Sequence, residues 1–278
     1  MQTPPDTVVH RRGASLVPGG AGEKNQDRRR SGRTPPAVRA VEVAVPGDQS
    51  APEPQGAPAE DGIRDLLRGL PVFAGPLPGF DPAAAPDDPA ELFLEWFTAA
   101  LRDGVPEPHA MTVATADQAG APSARVVIMK DFTQRGWWFA TTTTSRKGRE
   151  LAANPAAALL FHWGPQGRQV RVRGSVELAS PEQCAADFLA RPLESRVAGL
   201  HGRQSRPLAD PAEVDRAADR GRELLGREPG LAPGDWGLYV VSPAEVEFWQ
   251  ADPDRRHTRL HYSRTVPDGS WERGLLWP

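Results

Sequence analysis

The feature that most constrains the fold is a change of hydrophobic period near Ala110. Before it, apolar residues at 92–101 recur three and four positions apart, as on a helix with one buried face. After it, apolar and polar residues alternate, which is typical of strands. The predicted strands are 111–116, 124–130, 136–141, 156–163, 168–177, 236–241, 244–250, 259–262 and 270–276. Short strands with inserted helices predict a mainly β domain with α insertions (α+β), built as a small antiparallel barrel.

Capping signals place the predicted helices. Asp88, followed by Pro89 and Glu91, is typical of a helix start, and Gly104 ends that helix. Ser145 is predicted to cap a short helix that ends before the Asn-Pro pair at 154–155. Two further helices are predicted at 181–190 and 211–225.

Composition divides the 278-residue chain into three parts. Residues 1–60 contain nine prolines without helical or strand periodicity, so we expect a disordered tail. Residues 61–87 mix short apolar groups with Gly and Pro, which predicts an arm packed on the domain and helical in part at 63–67. Residues 88–278 form the predicted domain.

Composition also excludes several classes of protein. The formal net charge of −3 gives no overall attraction to nucleic acid. Cys184 is the only cysteine, which excludes an internal disulfide and a Cys-rich metal site, and no metal site is predicted. The sequence lacks an apolar run of about 18 residues, so no membrane span is expected. A cytoplasmic location is expected.

Positive charge concentrates between residues 125 and 169. The stretch holds one acid, Asp131, before Glu150, and its cations include Arg125, Lys130, Arg146, Lys147 and Arg168. Cations on strands and at a helix start favour a bound anion, most simply a phosphate. On a regular strand Arg125 and Lys130 face opposite ways, so they can serve one ligand only if the strand bulges or ends, or if the ligand lies along its end.

The helix start Ser145-Arg-Lys-Gly148 is the most informative local piece. Arg146 and Lys147 oppose the helix dipole, and a bound phosphate would compensate them. The alternative is a pair of exposed surface cations without a ligand. On the strand that follows, Gln169 shares a face with Arg171 and Arg173 and can both donate to and accept from a flat heterocycle.

A second polar group lies near the C-terminus. In an extended segment Arg255, His257 and Arg259 share one face, which suits an anionic substrate, and the histidine could hold or pass a proton. Trp249 offers a flat apolar surface to a ring.

Together these residues resemble the pyridoxamine 5′-phosphate oxidase family, the split β-barrel oxidases of Greek-key type that bind flavin mononucleotide (FMN). The resemblance covers about residues 89–278. Each motif alone is weak evidence for the family, but their occurrence together in the family's order is specific. The motifs are Arg125-Val-Val-Ile-Met-Lys130, Ser145-Arg-Lys-Gly-Arg149, Asn154-Pro-Ala-Ala-Ala-Leu-Leu-Phe161, Arg168-Gln-Val-Arg171, Arg191-Pro192 with Ser195, Gln204-Ser205, Glu247-Phe-Trp-Gln250, and Arg255 with His257 and Arg259.

The resemblance implies a role for each of these side chains. The FMN phosphate would bind Arg146 and Lys147, assisted by Arg125 and Thr141. The rest of the flavin would be held by Lys130, Gln169, Trp249 and Arg259, with Gln204 and Ser205 from a second subunit. The substrate phosphate would bind Lys130, Arg191 and Ser195, with Arg255 and His257 over the pyridine ring as catalytic residues.

The resemblance further implies a homodimer with FMN at the interface. The implied reaction oxidises pyridoxamine or pyridoxine 5′-phosphate to pyridoxal 5′-phosphate, with O2 as acceptor and H2O2 as product. Several positions depart from the family pattern, chiefly Asp187, where a tyrosine is usual, and Arg256, where a leucine is usual. A carboxylate at 187 would repel a phosphate unless a cation neutralises it.

Two alternatives therefore stay open. One is a related FMN oxidase of the phenazine-pathway type, acting on another small aromatic or heterocyclic substrate. The other is a non-catalytic split-barrel protein that binds flavin or pyridoxal phosphate.

Overall fold

The computed structural model describes residues 60–73, 75–266 and 269–278. The chain divides into two units, Met1–Ala59 and Glu60–Pro278. The predicted tail at 1–60 therefore lies, apart from Glu60, outside the described residues. No described helix is both long and apolar enough to cross a membrane.

Eight antiparallel strands form one sheet. They are β1 (Ala110–Ala116), β2 (Pro122–Thr133), β3 (Gly136–Thr142), β4 (Ala156–Trp163), β5 (Arg168–Leu178), β6 (Trp236–Gln250), β7 (Thr258–Ser263) and β8 (Glu272–Leu275). Their order is β3-β2-β1-β4-β5-β6-β7-β8, and β3 also pairs with β6, which closes a six-stranded barrel. Since β4 returns beside β1, the first four strands form a Greek key. The predicted fold class is confirmed.

Six α-helices lie in the described part of the chain. They are α1 (Glu60–Gly69), α2 (Pro89–Arg102), α3 (Arg146–Ala153), α4 (Pro181–Leu189), α5 (Leu193–Gly199) and α6 (Ala212–Arg227). Asp88 caps α2 and Ser145 caps α3, as predicted. Helix α5 was not predicted, because it follows Pro192 without a side-chain cap and has only seven residues.

The core fills the barrel beneath α2. Phe93 on that helix is fully buried and lies 5.1 Å, ring centroid to centroid, from both Trp137 and Phe161. Aromatic pairs at this distance add to the free energy gained by burying their apolar area. The helix thereby fixes the strands that carry the polar groups described below.

The C-terminal half of the barrel differs from expectation at one point. The strands predicted at 236–241 and 244–250 form one continuous strand, β6, which contains Pro243. The pairing register shifts opposite this proline, between Arg173 and Gly174. A Cβ on Gly174 would lie 1.9 Å from the carbonyl oxygen of Ser242, so only glycine fits this approach. The irregularity accommodates a proline that cannot donate to the ladder.

Candidate functional site

A cavity of about 1040 Å3 opens between β2, β3, the first turn of α3 and the segment after α4. Many of the residues predicted to bind an anion meet there. Those lining it are Arg125, Lys130, Thr141, Arg146, Lys147, Arg191, Ser195, Gln204 and Ser205. The cavity thus brings together residues that are up to 80 positions apart in the sequence, counting from Arg125 to Ser205.

An irregularity in β2 lets one strand serve both ends of the cavity. The register between β2 and β3 shifts between Met129 and Asp131, at Lys130. A bulge is one of the arrangements that would let Arg125 and Lys130 serve one ligand, and both side chains line the cavity. Between them Val126 and Ile128 are exposed apolar side chains on the cavity wall.

Glu150 fixes two of the cations. Its carboxylate lies 2.8 Å from Nε of Arg146 and 3.3 Å from Nη2 of Arg125. Burial alone would raise the pKa of this carboxyl, but hydrogen bonds from Ser123, Thr115, Arg146 and Arg125 lower that pKa to about 2. Glu150 is therefore a permanent anion that positions the two guanidinium groups.

Lys147 differs from its neighbours because no carboxylate among the described residues forms an ion pair with it. Its side chain is only 8% exposed, and Nζ donates to Oγ1 of Thr141 at 2.9 Å. Burial, and then the charge of Arg125, lower the pKa of Lys147. Together Arg125, Arg146, Lys147 and Glu150 carry an excess of two positive charges.

The start of α3 adds backbone donors. Ser145 caps the helix by accepting from the backbone N–H of Gly148 at 3.2 Å. A Cβ at Gly148 would lie 2.4 Å from the carbonyl oxygen of Thr143, so glycine is needed for this tight entry. A helix N-terminus with cations beside it is suited to a phosphate.

Gln204 and Ser205 belong to this end of the cavity within the same chain. Oε1 of Gln204 accepts from the hydroxyl of Thr141 at 3.2 Å, and Oγ of Ser205 accepts from the backbone N–H of Arg146 at 3.3 Å. The expectation that they reach in from a second subunit is therefore wrong. Ser205 has a φ of +68°, so the turn holds it in a strained conformation.

An acid on α4 lies beside the cavity and contacts two of the residues that line it. Asp187 on α4 lies 3.3 Å from Nζ of Lys130, and its second oxygen accepts from Nε1 of Trp236 at 2.9 Å. Lys130 thus supplies the neutralising cation that a carboxylate at this position requires. The guanidinium of Arg191 stacks on Trp236 at 4.3 Å.

The remaining predicted site residues do not line this cavity. Gln169, Trp249 and Arg259 pair in register across β5, β6 and β7, and we call them the cross-strand row. Arg259 donates to Glu247 through Nε at 2.8 Å and Nη2 at 3.1 Å. Arg171 donates to the same carboxylate.

His257 and Arg255 lie next to the row, in a turn. The histidine ring is 4.7 Å from Trp249, and its Nδ1 accepts from the backbone N–H of Asp252 at 3.0 Å. Arg255 is exposed with a φ of +66°. The prediction that Arg255, His257 and Arg259 share one face of an extended segment is wrong, because only Arg259 belongs to a strand.

Three residues that contact the predicted site residues were not predicted from the sequence. Phe73 in the arm packs on Trp249 at 5.8 Å and on His257 at 5.7 Å. Glu150 and Trp236 fix cations at the two ends of the cavity. The spacing of Arg146 and Glu150, four residues apart on a predicted helix, was a usable signal for one of them.

Arg168, included among the clustered cations, belongs to the core instead. It is buried, donates from Nε to Gln250 at 2.9 Å and stacks on Trp96 at 4.2 Å. Burial lowers its pKa to about 10.

Two family models match nearly the whole described domain. Residues 97–225 match the pyridoxamine 5′-phosphate oxidase model, and residues 236–278 match a pyridoxine 5′-phosphate oxidase C-terminal dimerisation region. The second match contains Trp249, His257 and Arg259.

Curated relatives give the same result. The chain is 48% identical over 200 residues to a pyridoxine/pyridoxamine 5′-phosphate oxidase of Bordetella petrii, covering 71% of this chain and 92% of that protein. It is 44% identical over 191 residues to the Janthinobacterium protein of the same name, covering 69% and 90%.

Solved structures agree on the fold. PhzG from Burkholderia lata, solved with tetrahydrophenazine-1-carboxylic acid, is 30% identical with a TM-score of 0.67, covering 73% of this chain and all of that one. A pyridoxamine 5′-phosphate oxidase-related, FMN-binding protein of Nostoc punctiforme, 16% identical, has a TM-score of 0.57, covering 70% of this chain and all of that one.

Proposed function

The chain belongs to the pyridoxamine 5′-phosphate oxidase family, and we propose that it is an FMN-dependent oxidase of pyridoxine and pyridoxamine 5′-phosphate. The product would be pyridoxal 5′-phosphate, with O2 as acceptor and H2O2 as the second product. A cytoplasmic location stays a prediction.

The observation that carries the proposal is the buried Lys147, which forms no ion pair with a carboxylate of the described residues. Keeping a lysine ammonium out of water without an anion is costly, so the folded protein gains when an anion enters. An excess of two positive charges beside a helix start matches the charge of a phosphate monoester near pH 7. The exposed Val126 and Ile128 give the same cavity an apolar wall suited to a flat ring.

We assign the cavity residues to two phosphates. Lys147, Arg146 and Arg125 would bind the FMN phosphate, with Thr141, Gln204 and Ser205 orienting the cations and the first turn of α3. Lys130, Arg191 and Ser195, at the other end, would bind the substrate phosphate. When bound, the flavin supplies the hydride acceptor and the route by which electrons pass to O2.

The cross-strand row would complete the site from a second copy of the chain. Gln169, Trp249 and Arg259 lie outside the cavity, and two of them lie in the segment that matches a dimerisation region. In a two-fold dimer each copy would lend its row to the cavity of the other. Gln169 would hydrogen-bond the edge of the ring, and Trp249 would pack on its surface.

His257 and Arg255 would then face the substrate ring. Because Nδ1 of His257 accepts from the backbone of Asp252, its proton resides on Nε2 while the ring is neutral. His257 would therefore present a donor to the substrate. Arg255, exposed and outside any strand, would align the ring and balance negative charge.

Two measurements test this proposal. Purified protein should be yellow with an FMN spectrum, and it should consume O2 when given pyridoxine 5′-phosphate. A colourless protein that FMN cannot reconstitute would refute the flavin site. A flavin-loaded protein with no turnover would refute the substrate.

Asp187 favours one second candidate, an FMN oxidase acting on a carboxylate-bearing ring. PhzG was solved with such a compound, and a carboxylate needs one cation where a phosphate dianion needs two. Oxygen consumption with a dihydro- or tetrahydrophenazine carboxylate, and none with pyridoxine 5′-phosphate, would decide for this candidate.

A further inference from the structure

Near α4 the cavity is lined by Lys130, Arg191 and Trp236, and Asp187, which does not line it, contacts Lys130 and Trp236; we call these four residues the α4 cluster. Asp187 is 12% exposed and uses both oxygens, one toward Lys130 at 3.3 Å and one toward Trp236 at 2.9 Å. A carboxylate in this position competes for Lys130 with any anion that enters.

Arg191 in the same cluster is fixed by an aromatic contact, but one of its buried N–H groups has no hydrogen-bond partner among the described residues. Its guanidinium stacks on Trp236 at 4.3 Å, and Nη1 is buried without a hydrogen-bond partner among the described residues. Burial lowers the pKa of Arg191, and the nearby charge of Asp187 opposes that shift. An unpartnered guanidinium N–H beside a cavity indicates a place for an acceptor oxygen.

The two ends of the cavity therefore differ in net charge. Two cations and one carboxylate, Lys130, Arg191 and Asp187, leave one positive charge near α4, whereas the α3 end carries two. A dianion near α4 would take Lys130 away from Asp187 and would be repelled by it, while a monoanion would be nearly balanced.

We propose that Asp187 is a specificity-determining residue, an internal counter-ion of Lys130 that weakens the binding of dianionic phosphate at the substrate end. The inference rests on the proposed function, since it takes this end to be the place where the substrate anion binds. Asp187 thereby sets substrate affinity through charge, while Trp236 fixes both Asp187 and Arg191.

The test is a comparison of two probes and two variants. The FMN-loaded protein is titrated by calorimetry at pH 8 with 4-deoxypyridoxine 5′-phosphate, which has the ring and the phosphate but no oxidisable oxygen at C4′. The matched probe is 4-deoxypyridoxine without phosphate. Asp187→Asn removes the charge and keeps an oxygen that can accept from Trp236. Glu177→Gln, an exposed acid paired with Arg135 at 2.7 Å, is the control for net charge.

Asp187→Asn should bind the phosphorylated probe on the order of tenfold more tightly than the wild type, because one repulsive charge is gone. Binding of the unphosphorylated probe should change less than about twofold, as should binding of both probes to Glu177→Gln. FMN retention, which depends on the α3 end, reports whether the variant is folded.

Unchanged or weaker binding of the phosphorylated probe by folded Asp187→Asn would overturn the inference, as would equal tightening for both probes. These outcomes are distinct from failure of the proposed function. Turnover of pyridoxine 5′-phosphate is measured separately on the wild type. If there is no turnover, the proposed function fails, but the change in affinity for the phosphorylated probe still tests the role of Asp187.

Discussion

The cavity and the cross-strand row use their acids differently. In the cavity, Glu150 engages Arg125 and Arg146 but leaves Lys147 without a carboxylate. Beside the row, Glu247 accepts from both Arg259 and Arg171, so both of these cations are already partnered. The cavity is thus built to attract an anion, whereas the row offers an aromatic surface and an amide. Under the proposed function, phosphate recognition and ring recognition would therefore be divided between two regions of the chain.

Of the substitutions in the cavity, removing the charge of Glu150 should lower the stability of the protein most. In Glu150→Gln, a buried carboxylate that accepts hydrogen bonds from two guanidinium groups and two hydroxyls loses its charge, so we expect the free energy of unfolding to fall by about 3 kcal/mol. Chemical denaturation of the apo protein measures this change. The exposed pair made by Glu245 provides a control, since Glu245→Gln should cost less than about 0.5 kcal/mol.

The same variant should alter the response to acid. The folded-state pKa of Glu150, about 2, lies below the ordinary value of 4.5, so its stabilisation is complete above pH 4.5 and is lost as the pH falls toward 2. The Tm of the wild type should therefore fall more steeply over this window than that of Glu150→Gln. Parallel Tm profiles for the two proteins would show that Glu150 is not an anchored anion.

Lys147→Met should weaken FMN binding on the order of a hundredfold, because it removes a charge-assisted contact to phosphate at a buried position. Titration of the apo protein, followed by flavin fluorescence, gives the dissociation constant. Arg149→Met removes a cation from the exposed side of the same helix and should leave FMN binding within about twofold. Equal losses in the two variants would contradict the placement of the phosphate.

In the row, Trp249→Leu should weaken FMN binding by about tenfold, since stacking on a ring is worth less than a buried charge contact. Trp271→Leu is its control, because Trp271 packs near Arg264 at 4.4 Å in the loop before β8. An effect of Trp249→Leu as large as that of Lys147→Met would remove the distinction between the two regions.

The smallest effect is expected in the arm. Phe73 has a φ of +55° and packs on Trp249 and His257, so Phe73→Ala should release the histidine ring and raise KM for pyridoxine 5′-phosphate about threefold. Steady-state oxygen consumption measures it. An unchanged KM would show that the arm does not order His257.

Local signals were enough to predict most of the fold. Alternation gave the strands, and the caps at Asp88 and Ser145 gave α2 and α3, because such signals act over a few residues. A bulge near Lys130, which the structure contains, was one of the arrangements that strand geometry left open. What failed depended on distant contacts or unusual turns. Glu150 contacts Arg125, which is 25 residues away in the sequence. Arg255 lies in a turn with a positive φ, which the neighbouring residues do not predict.

Local sequence signals also could not predict that the site residues fall into two separate groups. Gln204 and Ser205 contact Thr141 and Arg146 only because the loop after α5 folds back on α3. The row lies elsewhere because β5, β6 and β7 are neighbours in the sheet. Spacing along the chain carries no information on either placement.

In the proposed dimer, each site combines the cavity of one copy with the cross-strand row of the other. Subunit complementation tests this arrangement, with Lys147→Met and Arg259→Ala mixed under conditions that allow subunits to exchange, at an FMN concentration that loads the wild type but neither variant alone. Random pairing should restore about a quarter of the wild-type sites, because only mixed dimers hold one cavity and one row that are both intact. No recovery of oxygen consumption, with exchange demonstrated by differently tagged subunits, would contradict the claim.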